Sequence, residues 1–193
     1  MIDFIIPSVG RLTLKKSLES LINQTNPNWR AYVGFDGLNE DQIDKNILIE
    51  DDRITYFYLP QKLGTFSFHG NAGQVRNKII SLINQRNQWT GFLDDDDTIS
   101  KHYLEILKNE IKKEYHDCYV FRMDNNGNII PPLDVNTLIQ NHVGISFASN
   151  TSFLNENNIV FCNDNAEDFK FLMEISKYNG DIKILPFICY YVG

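Results

Sequence analysis

The sequence predicts an α/β domain built on a mostly parallel central sheet, and three observations carry that prediction. Short apolar runs of strand length alternate with segments whose apolar residues recur every three or four positions. Glycine, proline and aspartate punctuate the change from one to the other. No internal repeat, linker or low-complexity tract interrupts the pattern, so residues 1–193 read as a single domain.

Ile2–Ile6 is an apolar run ending at Pro7 and reads as a buried strand. After a turn at Ser8–Arg11, Leu14, Leu18, Leu21 and Ile22 share one helical face. Trp29–Phe35 is a second strand, stopped by Asp36-Gly37. A polar helix around Asp41–Ile49 and a third strand at Ile54–Leu59 follow. Gln61–Gly70, with Gly64 and Gly70, reads as a loop. Val75, Ile79, Ile80 and Ile83 mark a helix from Ala72 to Asn87, and Thr90–Leu93 is a fourth strand. Tyr103, Leu104, Leu107 and Ile111 mark another helix. Cys118–Met123 and Ile129–Ile130 flank Asn-Asn-Gly-Asn, a hairpin signal. Val143–Phe147 as strand, Ala166–Tyr178 as helix and Ile182–Leu185 as strand complete the pattern.

Eighteen Lys and Arg against 25 Asp and Glu give a net charge of −7, which argues against nucleic acid or an anionic membrane as partner. A small anion held by a few local cations or by a metal remains compatible. Cys118, Cys162 and Cys189 are odd in number and widely spaced, as expected of buried thiols in a reducing compartment. The start, Met-Ile-Asp-Phe, has no basic stretch leading an apolar one, and Ile184–Val192 is too short to span a bilayer. A cytoplasmic protein without a transmembrane segment is the expectation. The glycosylation-type triplets at Asn23 and Asn150 are chance matches in an Asn-rich chain.

In open α/β sheets, ligands sit beyond the carboxyl ends of the strands. There the sequence places Pro7–Arg11, Asp36-Gly37 and the run Asp94-Asp95-Asp96-Asp97. In extended chain, residues i and i+2 point the same way, so Asp94 and Asp96 converge while Asp95 and Asp97 point elsewhere. Hard oxygens of this kind suit Mg2+ or Mn2+. The alternative, Asp97 or Thr98 capping a helix that starts near Ile99, explains one aspartate and not four. A single glycine, Gly10, in the first turn and the absence of Gly-Lys-Ser/Thr after Gly73 exclude dinucleotide and P-loop motifs. Arg76 follows two glycines at a helix start, a place that attracts anions; a salt bridge to a nearby acid is the alternative. Glu167-Asp168 also opens a helix. The helix dipole alone favours acids there, but a carboxylate so placed could also take a proton from an acceptor.

Taken in order, I-P-S-x-G-R, F-D-G, G-N-A-G-Q-V-R-N, F-L-D-D-D-D and A-E-D-F resemble family 2 glycosyltransferases of the GT-A fold, over nearly the whole chain. The resemblance implies a Rossmann-like three-layer α/β/α sandwich and inverting transfer of a sugar from a nucleoside-diphosphate donor, with Mn2+ or Mg2+ as cofactor. By that resemblance, residues up to about 97 form the donor half and the rest the acceptor half. Pro7, Ser8 and Arg11 would lie against the nucleoside, and Asp36 would bind the base, commonly uracil. Gly73, Arg76 and Asn77 would face the nucleotide. Asp94 and Asp96 would hold the metal, with Asp94 and Asp95 also touching the nucleotide. Asp168 would be the catalytic base, and Glu167 would shape the acceptor site, where a glycan or glycoconjugate is expected. Gly144–Ala148 would lead into the acceptor region. Departures accompany the likeness. The stretch Lys170–Glu174 lacks an arginine common in the family, a late histidine is missing, and the absence of Gln-x-x-Arg-Trp implies addition of one sugar at a time. The chain is expected to be a minimal enzyme or the catalytic domain of a longer one. Two rivals keep the fold: a sugar-nucleotide binder that no longer transfers, and a nucleotidyltransferase, for which the first loop is too poor in glycine and base. A metal-dependent nuclease is disfavoured by the acidic composition.

Overall fold

Seven consecutive residues, Ile2–Ser8 (β1), are buried from end to end, as a strand with neighbours on both sides requires. In the computed structural model, which describes residues 1–64, 72–164 and 166–193, β1 pairs in parallel with Trp29–Asp36 (β2) and with Trp89–Phe92 (β4). Ile54–Leu59 (β3) adds in parallel to β2. The helices between them are Leu14–Ile22 (α1) and Gly73–Leu82 (α2). Thr98–Ile99 (β5), Tyr103–Lys113 (α3), Cys118–Asn125 (β6), Asn128–Ile130 (β7), Phe147–Asn150 (β8), Thr151–Glu156 (α4), Glu167–Lys177 (α5) and Ile182–Tyr191 (β9) follow. Among the described residues the sheet order is β3-β2-β1-β4-β8-β6-β9-β5, with β7 hairpinned onto β6. The first four strands are parallel; β8 enters antiparallel between β4 and β6, and β6 and β9 are again parallel.

Helices cover both faces of this sheet. Residues opposite each other in register share a face, and neighbours along a strand alternate. Phe4 pairs with Gly91 and Ile5 with Phe92, so Phe4 and Phe92 lie on opposite faces. Phe4 packs on Tyr103 of α3, which stacks on Phe121. On the other face Phe92 meets Phe147, Phe161 and Phe171, the last from α5. α2 lies on that same side: a Cβ on Gly34 of β2 would come within 2.5 Å of Ile79. Gly34 is therefore what lets α2 close on the sheet.

Several expected boundaries move, each for a local reason. The polar helix around Asp41–Ile49 is two short 3-10 turns, Glu40–Gln42 and Lys45–Ile47. The Asp44 side chain accepts the Asn46 N–H and Gln42 binds the Asn39 N–H, so local side chains satisfy the backbone before a helix forms. The helix expected to reach Asn87 stops at Leu82, and Asn87 is held instead by the buried Asp3 carboxylate at the foot of β1. The strand expected at Val143–Phe147 is β8, shifted to Phe147–Asn150 by its pairing with β4 and β6. α4 is capped by Asn150, whose side chain accepts the Phe153 N–H. The last strand runs past Pro186 to Tyr191, because register shifts opposite β6 absorb the proline. The hairpin sits where Asn-Asn-Gly-Asn places it, with Asn126 and Gly127 at positive φ as a two-residue primed turn demands. Most of the Gln61–Gly70 loop lies outside the described residues.

Candidate active site

The carboxyl ends of β1, β2 and β4 meet at one edge, and the aspartate run leaves β4 there. Asp95 is 4% exposed and turns inward to the first loop. Its carboxylate accepts Ser8 Oγ–H at 2.7 Å, the Val9 N–H at 3.2 Å and Arg11 Nη1–H at 3.2 Å. Burial outweighs these donors and keeps its pKa above the usual carboxylate range. Arg11, half exposed, also pairs with Asp96. Asp97 is buried and accepts the Gly193 N–H at 3.0 Å; burial, then the neighbouring Asp94 charge, push its pKa up to about 6. The helix that might have needed Asp97 as a cap begins only at Tyr103, after β5. Asp94 meets a different cation, Arg76, at 2.5 Å. The run is not the extended chain expected from the sequence: Asp95 and Asp96 are the central residues of a turn closed by the Asp97 N–H on the Asp94 carbonyl at 3.2 Å, and Asp94 and Asp96 go to different arginines. Asp95 and Asp97 are tied into the protein, while Asp94 and Asp96 are partly exposed, each on an arginine.

Arg76 is the hinge of the second half of the site. It is 2% exposed, and its guanidinium spans Asp94 on the β4 loop and Glu167 on α5, the latter at 2.6 Å. Burial opposes its charge, but Asp94, Asp168 and Glu167 together reverse that and hold it more firmly protonated than a free arginine. Glu167 does more than pair with it. Its carboxylate also accepts the N–H groups of Ala72 and Gly73 at 3.2 and 2.8 Å, so a residue of α5 caps α2. Gly73 is required by this approach, since a Cβ there would lie 2.5 Å from Glu167 Oε2 and 2.7 Å from Phe161 Cβ. Asp168 follows. Burial, partly offset by Arg76 and reinforced by Asp94, Glu167 and Asp97, pushes its pKa up to about 7. Its Oδ1 is buried with no hydrogen-bond partner among the described residues.

Other residues singled out in the sequence have roles within the protein itself. Asn77, expected to face a nucleotide, spends its side-chain amide on the main chain of Phe161, donating at 2.8 Å and accepting at 3.0 Å. It clamps the segment before α5 onto α2. Glu167, expected at an acceptor site, is 8% exposed and engaged by α2. Asp36 is buried at the end of β2, and its carboxylate accepts the N–H groups of Leu63 and Gly64 at 2.6 and 3.0 Å, fixing the loop after β3. Each oxygen keeps a second lone pair, so a base contact is compatible with this role. Pro7 is buried inside β1. Tyr190 was not expected at the site. It is fully buried on β9, its hydroxyl accepts the Asp94 N–H at 3.1 Å, and the Asp97 carboxylate lies close to it. Only the aromatic character of the last strand hinted at it. Among the described residues no group of three or more His, Cys, Asp or Glu could enclose a metal. No helix among them is long and apolar enough to cross a membrane.

Six carboxylates, Asp94–Asp97, Glu167 and Asp168, therefore gather around two arginines at the sheet edge. The same arrangement of elements is found in known proteins. The structure of S. aureus TarS 1–349 in complex with UDP superposes with a TM-score of 0.77 at 21% identity, over 99% of this chain and 60% of that one. The complex of the same protein with UDP-GlcNAc gives 0.75 at 20%, over 99% and 58%. These likenesses establish the GT-A architecture. An uncharacterized glycosyltransferase of Methanocaldococcus jannaschii is 28% identical over 124 residues, 61% of this chain and 40% of that protein. The chain thus spans less than two thirds of the length of each of these relatives. The model of the family described as glycosyl transferase family 2 matches residues 3–166, and with that match the chain belongs to glycosyl transferase family 2.

Proposed function

We propose that the protein transfers a single sugar, with inversion, from a nucleoside-diphosphate sugar to a hydroxyl of a glycan or glycoconjugate, and that the donor is UDP-linked. The observation that carries this reading is Asp168: a buried carboxylate oxygen without a partner among the described residues, with a pKa near neutrality, close to a loop of partly exposed acids on arginines. Such an oxygen is suited to accept the proton of an incoming hydroxyl, because the ideal base titrates near the working pH. The ligands in the TarS structures, UDP and UDP-GlcNAc, support the uridine assignment.

Asp94 and Asp96 fit a divalent cation. They offer hard oxygens, are partly exposed, and number two, within the one or two carboxylates that Mg2+ takes when substrate phosphates complete its shell. When bound, the cation would stabilise negative charge on the leaving diphosphate. A site with six carboxylates also needs such charge before it can accept a diphosphate. Arg11 lies where a donor phosphate or nucleoside would enter and can exchange Asp96 for it. Arg76 orients Asp94 and, through Glu167, fixes the helix start that carries Asp168. Ser8 and Asp95 hold the first loop in place, and Asp36 holds the loop beneath the base. The free thiols, two of them buried, suit a reducing cytoplasm.

A thermal-shift panel of nucleotide sugars, with and without Mn2+, tests the reading. A ligand that binds only the folded chain stabilises it by about 2.7 kcal/mol at a hundredfold excess over its Kd. A UDP-sugar should raise the midpoint further when Mn2+ is present than without it; a panel without any Mn2+-dependent shift would overturn the assignment.

A further inference from the structure

Tyr190 sits where β9 passes between β6 and β5, in register with Met123 on one side and Ile99 on the other. Its ring is wholly buried, yet its hydroxyl reaches the aspartate loop at both ends. There it accepts the main-chain N–H of Asp94 at 3.1 Å, and the Asp97 carboxylate lies beside it. Asp97 closes the circuit, since its own N–H bonds the Asp94 carbonyl at 3.2 Å and its carboxylate takes the Gly193 N–H at 3.0 Å. Phenylalanine would fill the same space, so the hydroxyl answers to the loop and not to the core. Four adjacent carboxylates repel one another, and a loop carrying them keeps a single path only if something outside it holds its main chain.

We propose that Tyr190 is a positioning residue for donor binding: its hydroxyl fixes the Asp94–Asp97 main chain in the path that presents the Asp94 and Asp96 side chains to a divalent cation carrying a nucleoside diphosphate. The proposal rests on reading the loop as a cation and diphosphate site. A purely structural tyrosine would affect folding without distinguishing cation-dependent from cation-independent binding.

Calorimetric titration of UDP, with Mn2+ and without it, into the wild type and Tyr190→Phe tests this. The variant should unfold cooperatively and bind UDP with Mn2+ about ten- to a hundredfold more weakly, as expected when one buried hydrogen-bond centre is removed. Its cation-free UDP affinity should match the wild type. Asp97→Asn, which keeps an oxygen beside the phenol and for the Gly193 N–H, should retain most of the Mn2+-dependent affinity, and Asp97→Ala should lose it. That pair decides the matter if Tyr190→Phe does not fold. Equal Mn2+-dependent affinity in wild type and Tyr190→Phe, equal loss with and without the cation, or identical behaviour of the two Asp97 variants would overturn the proposal alone. A wild type indifferent to UDP and Mn2+ together would remove the donor reading, and this proposal with it.

Discussion

Replacing Glu167 by alanine should destabilise the fold by about 3–5 kcal/mol, the range for breaking a buried ion pair from one side. The figure follows from what one carboxylate does here. It takes Arg76 Nη1–H at 2.6 Å and the first N–H groups of α2, at 3.2 Å from Ala72 and 2.8 Å from Gly73. Without it the guanidinium, 2% exposed, keeps the Asp94 ion pair and the nearby Asp168 charge, and the start of α2 loses its cap. The cap loss, typically about 1 kcal/mol, is not added in full, because the same carboxylate supplies both contacts. Water entering the vacated space would bring the value toward the lower end of the range. Urea unfolding followed by the fluorescence of the buried Trp29 and Trp89 gives the measurement, with an unchanged m-value showing that only stability has moved. Glu167→Gln keeps one acceptor oxygen and should lose about 1–3 kcal/mol. A loss below about 1 kcal/mol for Glu167→Ala at constant m would refute the claim that α5 caps α2.

Asn77→Ala should cost about 1–3 kcal/mol by leaving the Phe161 N–H without its acceptor and its carbonyl with only the long Gln74 contact at 3.4 Å, and should leave UDP affinity nearly unchanged in titration calorimetry. Weaker UDP binding at unchanged stability would instead restore the nucleotide contact that the sequence implied. Asp168 titrates near 7 in the fold against an ordinary 3.8, so ionising it costs folded-state stability, increasingly as pH rises between those values. Asp168→Asn removes that cost; in paired urea titrations its gain in stability over wild type should be larger at pH 8 than at pH 5. The same titration predicts that donor-dependent turnover rises with pH through about 7 on its acid limb, which a pH profile of kcat/KM measures.

The parallel half of the sheet was legible because Ile2–Ile6, Trp29–Phe35 and Ile54–Leu59 are apolar runs with turn residues at their ends, and burial on both faces leaves such runs few alternatives. The second half was less so. Thr98–Ile99 is too short to read, and β9 hides behind Pro186, where only the pairing with β6 shows that a bulge rescues the strand. In the site, the aspartate run announced itself by charge, but the strand geometry expected of it does not hold, because the run folds into a turn past the end of β4. Its partners did not announce themselves. Nothing local to Arg76 tells that it will span Asp94 and Glu167, and Asn77 looks like a ligand residue until Phe161 folds back onto it. Tyr190 was illegible for the same reason: its hydroxyl matters only once β9 is threaded beside β5.

The most direct measurement for the whole account compares Asp168→Asn with the wild type in two assays on the same preparation: calorimetric binding of a UDP-sugar with Mn2+, and the rate of sugar transfer. Donor affinity should be retained while turnover falls by about 10²–10⁴, the contribution of a positioned base. Turnover at the wild-type rate, or a loss confined to donor affinity, would contradict the assignment of Asp168 as the proton acceptor.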